Sequence, residues 1–206
     1  MAEGGEMNYL EEYKVNVPEG KSGIWYVEKF EVKEDSIGRI SYMLHGRDVP
    51  PGIYTRLCRE KSFDNPVMSD TPSEIGDHLH FIHTAHGNCL INGLGLGVVV
   101  NALLHKPEVT HIDVVEIEQD VINLVWPAYN NGKTTLYHAD ALTTQWPKDQ
   151  KWDCAWHDIW PSMCTDNLPE IAKLKHKYAR RVKYQAAWAE DELRYRHRQE
   201  RQSIWY

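Results

Sequence analysis

Four short stretches carry side chains that, brought together, would make a nucleotide site. Asn92-Gly93-Leu94-Gly95-Leu96-Gly97 is a glycine-rich loop between two apolar runs. Glycines there let the chain turn tightly and bring a ligand against main-chain N–H groups. The spacing is GxGxG; Val98 stands where a dinucleotide fingerprint, GxGxxG, has its third glycine. Glu116 follows Gly97 by 19 residues, a position from which a carboxylate can accept both hydroxyls of a ribose. Asp140-Ala141 offers a side chain and a backbone edge to an adenine. In His157-Asp158-Ile159-Trp160-Pro161, Asp158 is the candidate base or amine-orienting carboxylate and His157 a lesser one. Trp160 is a candidate pocket wall, through stacking or cation–π attraction.

Elements of the right kind surround these residues. From Asn88 onward, apolar β-branched runs alternate with helical patterns. Cys89–Ile91, His111–Glu116, Thr134–Tyr137 and Trp152–His157 read as strands, and 97–105 and 120–129 as helices. Strands separated by helices imply a parallel sheet with right-handed crossovers. All four candidate stretches then fall at the carboxyl ends of strands, where open α/β sheets bind their ligands. Upstream, Ile24–Val27, Phe30–Val32, Arg39–Leu44 and Ile53–Leu57 read as an antiparallel meander, and Asp70-Thr71-Pro72-Ser73-Glu74 as a helix start. After Pro161 the pattern is helical, with Leu168, Ile171, Leu174, Tyr178 and Val182 at helical spacing. Gln185-Ala186-Ala187-Trp188 is the alternative, a short last strand, although no Gly or Pro marks a break.

The stretch from Met68 to Pro161 resembles the S-adenosylmethionine-binding half of class I methyltransferases, in particular their spermidine-synthase-like branch, where a β-rich piece precedes the nucleotide fold. The residues carrying the resemblance are 92–97, Val115-Glu116-Ile117, Asp140-Ala141 and Trp152-Asp153 through Asp158 to Pro161. It implies that Asn92, Gly93, Leu94, Gly95 and Gly97 wrap the methionine and ribose. Glu116 and Ile117 would hold the ribose, Asp140 and Ala141 the adenine, and Asp158 would lie beside the sulfonium. The expected fold is α/β: a Rossmann-like parallel sheet, shortened after its fourth strand, with a small N-terminal antiparallel β piece and a helical C-terminus. The expected division is 1–66 leader and meander, 67–165 cofactor-binding domain, and 166–206 basic helices. A fourth strand left at the edge would invite pairing, which suggests a homodimer.

The expected activity is S-adenosylmethionine-dependent transfer, most simply of a methyl group, to an acceptor that the residues do not identify. The alternatives are a silent nucleoside-binding module, a cofactor-cleaving enzyme and an aminopropyltransferase-like enzyme. Ile159-Trp160-Pro161-Ser162 supplies no second carboxylate close to Asp158, which speaks against a diamine acceptor. A nicotinamide-dependent oxidoreductase is disfavoured by the glycine spacing.

Composition bounds the rest. The 206 residues carry a net charge of -7, yet from Lys173 onward the balance is +6. That basic tail suggests contact with nucleic acid or an acidic partner, or simply a solvated helix face. No apolar run reaches membrane-spanning length and no signal-peptide core opens the chain, so a cytoplasmic protein without membrane contact is expected. Four scattered cysteines, without a CxxC pair, suggest neither zinc ribbon nor disulfide scaffold. His78, His80, His83 and His86 lack a completing ligand, and no metal is expected. Of eight tryptophans, five fall between Trp126 and Trp160; apart from Trp160 they are expected in the core.

Overall fold

The structure is a computed structural model and describes residues 11–34, 49–60 and 66–203. The run Arg39–Leu44, expected as a strand, lies outside them. Two sheets form. The first is an antiparallel meander of β1 (Gly20–Ser22), β2 (Trp25–Val32), β3 (Gly52–Arg59) and β4 (Met68–Ser69), in sequential order. The apolar runs at Ile24 and Phe30 thus belong to one strand. Val27 on β2 and Leu57 on β3 are buried register partners.

The second sheet is parallel and contains β5 (Gly87–Asn92), β6 (Val109–Glu116), β7 (Thr134–His138), β8 (Trp152–His157) and β9 (Val182–Ala187). Its order is β7-β6-β5-β8-β9, the doubly wound arrangement of a Rossmann-like fold. Among the described residues, five α-helices accompany it: α1 (Pro72–Thr84), α2 (Val98–Leu104), α3 (Gln119–Val125), α4 (Leu168–Tyr178) and α5 (Glu190–Ser203). Alternate residues of the central strands feed two cores. Cys89, Ile91, Ile112, Val114, Cys154 and Trp156 pack with Ile75, Phe81 and Ile82 of α1, the apolar face of α2, and Val121 and Val125 of α3. Leu90, Val115 and Ala155 pack on the other face with Ile171, Leu174 and Tyr178 of α4.

The segment after Pro161 differs from the expected helices. Ile171, Leu174 and Tyr178 form the predicted buried stripe, but Val182 opens β9, which runs parallel to β8. The sheet therefore does not stop at its fourth strand. Its edges are β7 and β9, and the exposed-edge reason for expecting a dimer at β8 disappears. Val182 continues the helical spacing by coincidence. The break is a tight turn closed by the Arg181 N–H on Tyr178 O (2.8 Å), and the next partner is long-range: Trp152 N–H donates to Arg181 O (2.8 Å). No helix among the described residues is long and apolar enough to cross a membrane.

The tryptophan-rich stretch divides between the two faces: Trp126 and Trp156 pack on the α1 side, and Trp146, Trp152 and Trp160 on the α4 side. No helix joins β7 to β8, and Trp146 from that connection packs edge-on against Tyr137 (4.8 Å) and Trp152 (4.9 Å). Its indole N–H donates to Tyr178 Oη at 3.0 Å. Large aromatic surface here occupies space that a crossover helix would otherwise cover.

Candidate functional site

The carboxyl ends of β5, β6, β7 and β8 open on one cleft of about 380 Å³, within the range of small-molecule sites. Gly93, Gly95, Glu116, Ile117, Asp140, Ala141, Asp158 and Trp160 all line it. Gly93 follows β5 and Asp158 follows β8, so the cleft lies where the strand order reverses, the usual ligand position in such sheets.

Gly93 sits at φ +96°, a conformation open to glycine, and its N–H donates to Val115 O (2.8 Å). A Cβ at this position would lie 1.8 Å from the carbonyl oxygen of Asp158. The close approach of the two strand ends is therefore the reason for the glycine. Glu116 organises the loop from beside it. Its Oε2 accepts the Leu94 N–H and its Oε1 the N–H groups of Ile117 and Glu118, each at 2.8 Å. A carboxylate has about four lone-pair sites, so capacity remains for a ligand hydroxyl. Asp140 is held similarly, Oδ1 accepting the Leu142 N–H (2.7 Å) and Oδ2 the Thr143 hydroxyl (3.0 Å). Ile117 is 59% exposed beside Glu116, an apolar surface available to a flat ring.

Three of the candidate residues support the loop from beneath. Asn92 is fully buried, and Leu94 contributes its backbone while its side chain is in the core. Gly97 begins α2 at φ +80° under the ring of Tyr129, whose hydroxyl donates to Leu96 O (3.1 Å). None of the three lines the cleft.

His157 and Asp158 part company. Strand alternation persists through the end of β8: Trp156 faces α1, His157 faces α4, and Asp158 returns to the α1 side. The His157 ring is fully buried and stacked on Tyr178. Its Nδ1 pairs with Asn92 Nδ2 (2.8 Å) and its Nε2 with Gln185 Oε1 (3.0 Å). Burial lowers its pKa to about 4, with Gln185 opposing the shift. A neutral ring with both nitrogens engaged, away from the cleft, is a positioning group for Asn92 and not an available base.

Asp158 has the opposite character. Burial, then the Glu74 carboxylate, push its pKa up to about 7; the Trp156 indole opposes this and Asp77 adds to it. Residues 159–162 supply no second carboxylate, but α1 brings two within electrostatic reach. The absence of a local second carboxylate, which speaks against a diamine acceptor, is thus partly offset by Glu74 and Asp77, although neither lines the cleft. A carboxyl group titrating near neutrality, at the wall of a cleft, is matched to proton transfer.

One wall came without a sequence signal. Trp25, Leu57, Arg59 and Met68 of the N-terminal sheet, with Val67 just before its last strand, line the cleft beside the glycine loop. The Met68 sulfur accepts the Leu96 N–H (3.1 Å), and the Arg59 guanidinium lies 5.4 Å from the Trp25 ring centre. These residues have no fixed spacing from the loop; only the docking of the meander brings them there. Trp160 is a wall on the other side, 8% exposed and fixed by an indole N–H bond to Glu170 Oε2 (2.8 Å).

No protein-family model and no curated protein matches the chain. Among solved structures it is similar to N-methyltransferase NodS from Bradyrhizobium japonicum WM9 in complex with S-adenosyl-L-homocysteine (12% identity, 60% of this chain and 61% of that one, TM-score 0.40). It is also similar to a putative RNA methyltransferase, PH1948 from Pyrococcus horikoshii (16% identity, 59% of each chain, TM-score 0.41). A third is a dimethyladenosine transferase from Plasmodium falciparum (16% identity, 52% of this chain and 36% of that one, TM-score 0.37). The matches span less than two thirds of those chains, and likeness at this level bears on neither activity nor ligand.

Proposed function

We propose that the chain is an S-adenosylmethionine-dependent methyltransferase whose acceptor is a nucleophile that arrives carrying a proton. The observation that carries this reading is the convergence of Gly93, Glu116, Asp140 and Asp158 on one cleft at the switch point of the sheet. The cofactor supplies a methyl group on a sulfonium, which needs no activation by the protein. The chain's own work is then to bind, to orient and to manage one proton. Glu116 would take the ribose hydroxyls, Asp140 and the Ala141 backbone the adenine edge, and Ile117 the ring face. Asp158 would orient the acceptor and accept its proton. With Glu74 and Asp77 behind it, a positively charged amine is the acceptor class best matched electrostatically.

Titration calorimetry with S-adenosylmethionine, and separately with NAD, tests the reading. Heat with the former and none with the latter is expected; the reverse would assign the cleft to a nicotinamide cofactor. Glu116→Gln turns an amide N–H₂ toward at least one backbone donor. We expect about tenfold or greater weakening of cofactor binding and a stability loss of about 1–3 kcal/mol. Unchanged affinity in a folded variant would remove Glu116 from the site.

A further inference from the structure

A second cleft, of about 570 Å³, lies at the opposite end of the parallel sheet. It is formed by the β7–β8 connection and the turn after α4, next to the first residues of β8 and β9. Lys148, Lys151, Lys177, Arg180 and Arg181 line it, with His176 beside them. At about 3.3 Å per strand residue, the length of β8 separates it from Asp158 by roughly 15–20 Å.

Most of these cations are fixed in place by carbonyl groups and not by ion pairs, although Lys177 also feels the Asp140 carboxylate. Lys177 Nζ donates to Ala141 O (2.7 Å), and Lys151 Nζ to Arg180 O. The Arg181 guanidinium donates to the carbonyls of Pro147 (2.6 Å), Gln150 (3.1 Å) and Trp146 (3.3 Å). Lys148 and Arg180 are exposed and make no side-chain bond among the described residues. None of the five has a carboxylate within 4.0 Å among the described residues, although Asp149 lies in the same connection.

Elsewhere in the tail, four of the seven remaining cations are paired among the described residues, and the other three, Lys173, Arg198 and Arg201, lie outside this cleft. Lys175 and Arg194 pair with Glu190, Lys183 with Asp153, and Arg196 with Glu192. Favourable contact with the carbonyl end of α4 explains some of the basic residues. It does not account for Lys148 and Arg180, which contribute charge and accept no structural duty. Five neighbouring cations repel one another, and their charge exceeds what one phosphate group neutralises. In a chain of net charge -7, such a concentration fits a ligand with several regularly spaced negative charges.

We propose that this cleft binds the phosphodiester backbone of a nucleic acid. The contact is made to phosphates, so affinity is steeply salt-dependent and weakly dependent on sequence. None of these residues lines the first cleft, and only Lys177 touches one that does, through its bond to Ala141 O. The inference therefore does not rest on the methyltransferase reading, and its test is built on Lys148 and Arg180.

Fluorescence anisotropy of the full chain with a short labelled oligonucleotide, single-stranded or duplex, tests it across a salt series. If the five cations each meet a phosphate, log Kd rises with log salt with a slope of about 3.5 for a single strand. The exposed pair Lys148→Ala/Arg180→Ala is expected to weaken binding about tenfold or more and to reduce that slope by about 1.4. Lys148→Glu/Arg180→Glu should abolish binding while the circular dichroism spectrum stays unchanged. Absence of binding at low salt, or binding indifferent to the charge reversal, would overturn the proposal. So would equal affinity for polyglutamate, which would indicate an acidic protein partner, or displacement by submillimolar inorganic phosphate, which would indicate a small-anion site.

Discussion

Asp158→Asn is expected to stabilise the protein near pH 8 and to disable it. The folded chain holds the Asp158 proton to about pH 7, against an ordinary carboxyl value of 3.8. Between those values the native state binds more protons than the unfolded one, so stability falls as pH rises. Asp158 thus favours folding below about pH 4 and progressively loses that contribution up to pH 7. Near pH 8 the wild type carries a desolvated charge facing Glu74 and Asp77, which asparagine does not. Allowing for its partial exposure to the cleft, the variant should gain about 2–4 kcal/mol near pH 8 and little near pH 4. Urea unfolding at the two pH values measures this directly. Identical pH profiles for variant and wild type would refute the assignment of a perturbed carboxyl. With an acceptor in hand, the same substitution should lower kcat by about 10²–10⁴-fold while leaving cofactor affinity nearly unchanged. Equal loss of both would make Asp158 a binding group. Gain of stability with loss of turnover is the signature of a group held in an unfavourable state for chemistry.

Gly93→Ala should be the most damaging small substitution in the chain. The added methyl meets backbone, 1.8 Å from Asp158 O and 2.8 Å from its carbonyl carbon, and no rotamer relieves that. The ends of β5 and β8 must separate, which threatens two bonds. One is Gly93 N–H to Val115 O, and the other is Asp158 N–H to Asn92 O, both 2.8 Å. Together with the strain of φ +96°, a loss of about 3 kcal/mol or more is expected, with cofactor binding weakened about 100-fold or beyond. Gly76→Ala is the internal comparison. Gly76 lies in α1 with nothing within 4 Å of a built Cβ, so alanine there should stabilise by about 0.5–1 kcal/mol. Denaturant midpoints of the two variants should move in opposite directions. If both move alike, close approach is not what requires glycine at position 93.

Both predictions concern residues that were visible in the sequence, though for different reasons. The glycine loop, Glu116, Asp140 and Asp158 were legible because each ends an apolar run whose period and length identify a strand. In a parallel sheet all strand ends of one kind fall on one side. Their convergence on a cleft therefore needed only the strand–helix alternation. The distinction between residues that line that cleft and residues that hold it was not legible. Asn92, Leu94 and Gly97 share the loop with Gly93 and Gly95 but face the core, and spacing alone does not separate them.

The positions that the structure places differently from their local pattern share one cause. His157 is adjacent to Asp158 in the chain, but the period of two continues through Asp158 and turns the two side chains to opposite faces. Val182 extended a helical stripe in the sequence, yet its partner across the sheet is Trp152, 30 residues earlier. The carboxylates of Glu74 and Asp77 and the wall from the N-terminal meander are likewise far from Asp158 in the chain. The five cations of the second cleft come from two segments that no local pattern links. By itself the sequence determined the α/β alternation, the glycine loop and the row of acidic strand ends, since these rest on short-range periodicity and backbone sterics. Only the tertiary structure decided the fifth strand, the far wall of the cleft, the side taken by His157 and the upward shift of the Asp158 pKa. Strand pairing, burial and electrostatic fields depend on what lies across space from a residue, and the order of the chain does not specify that.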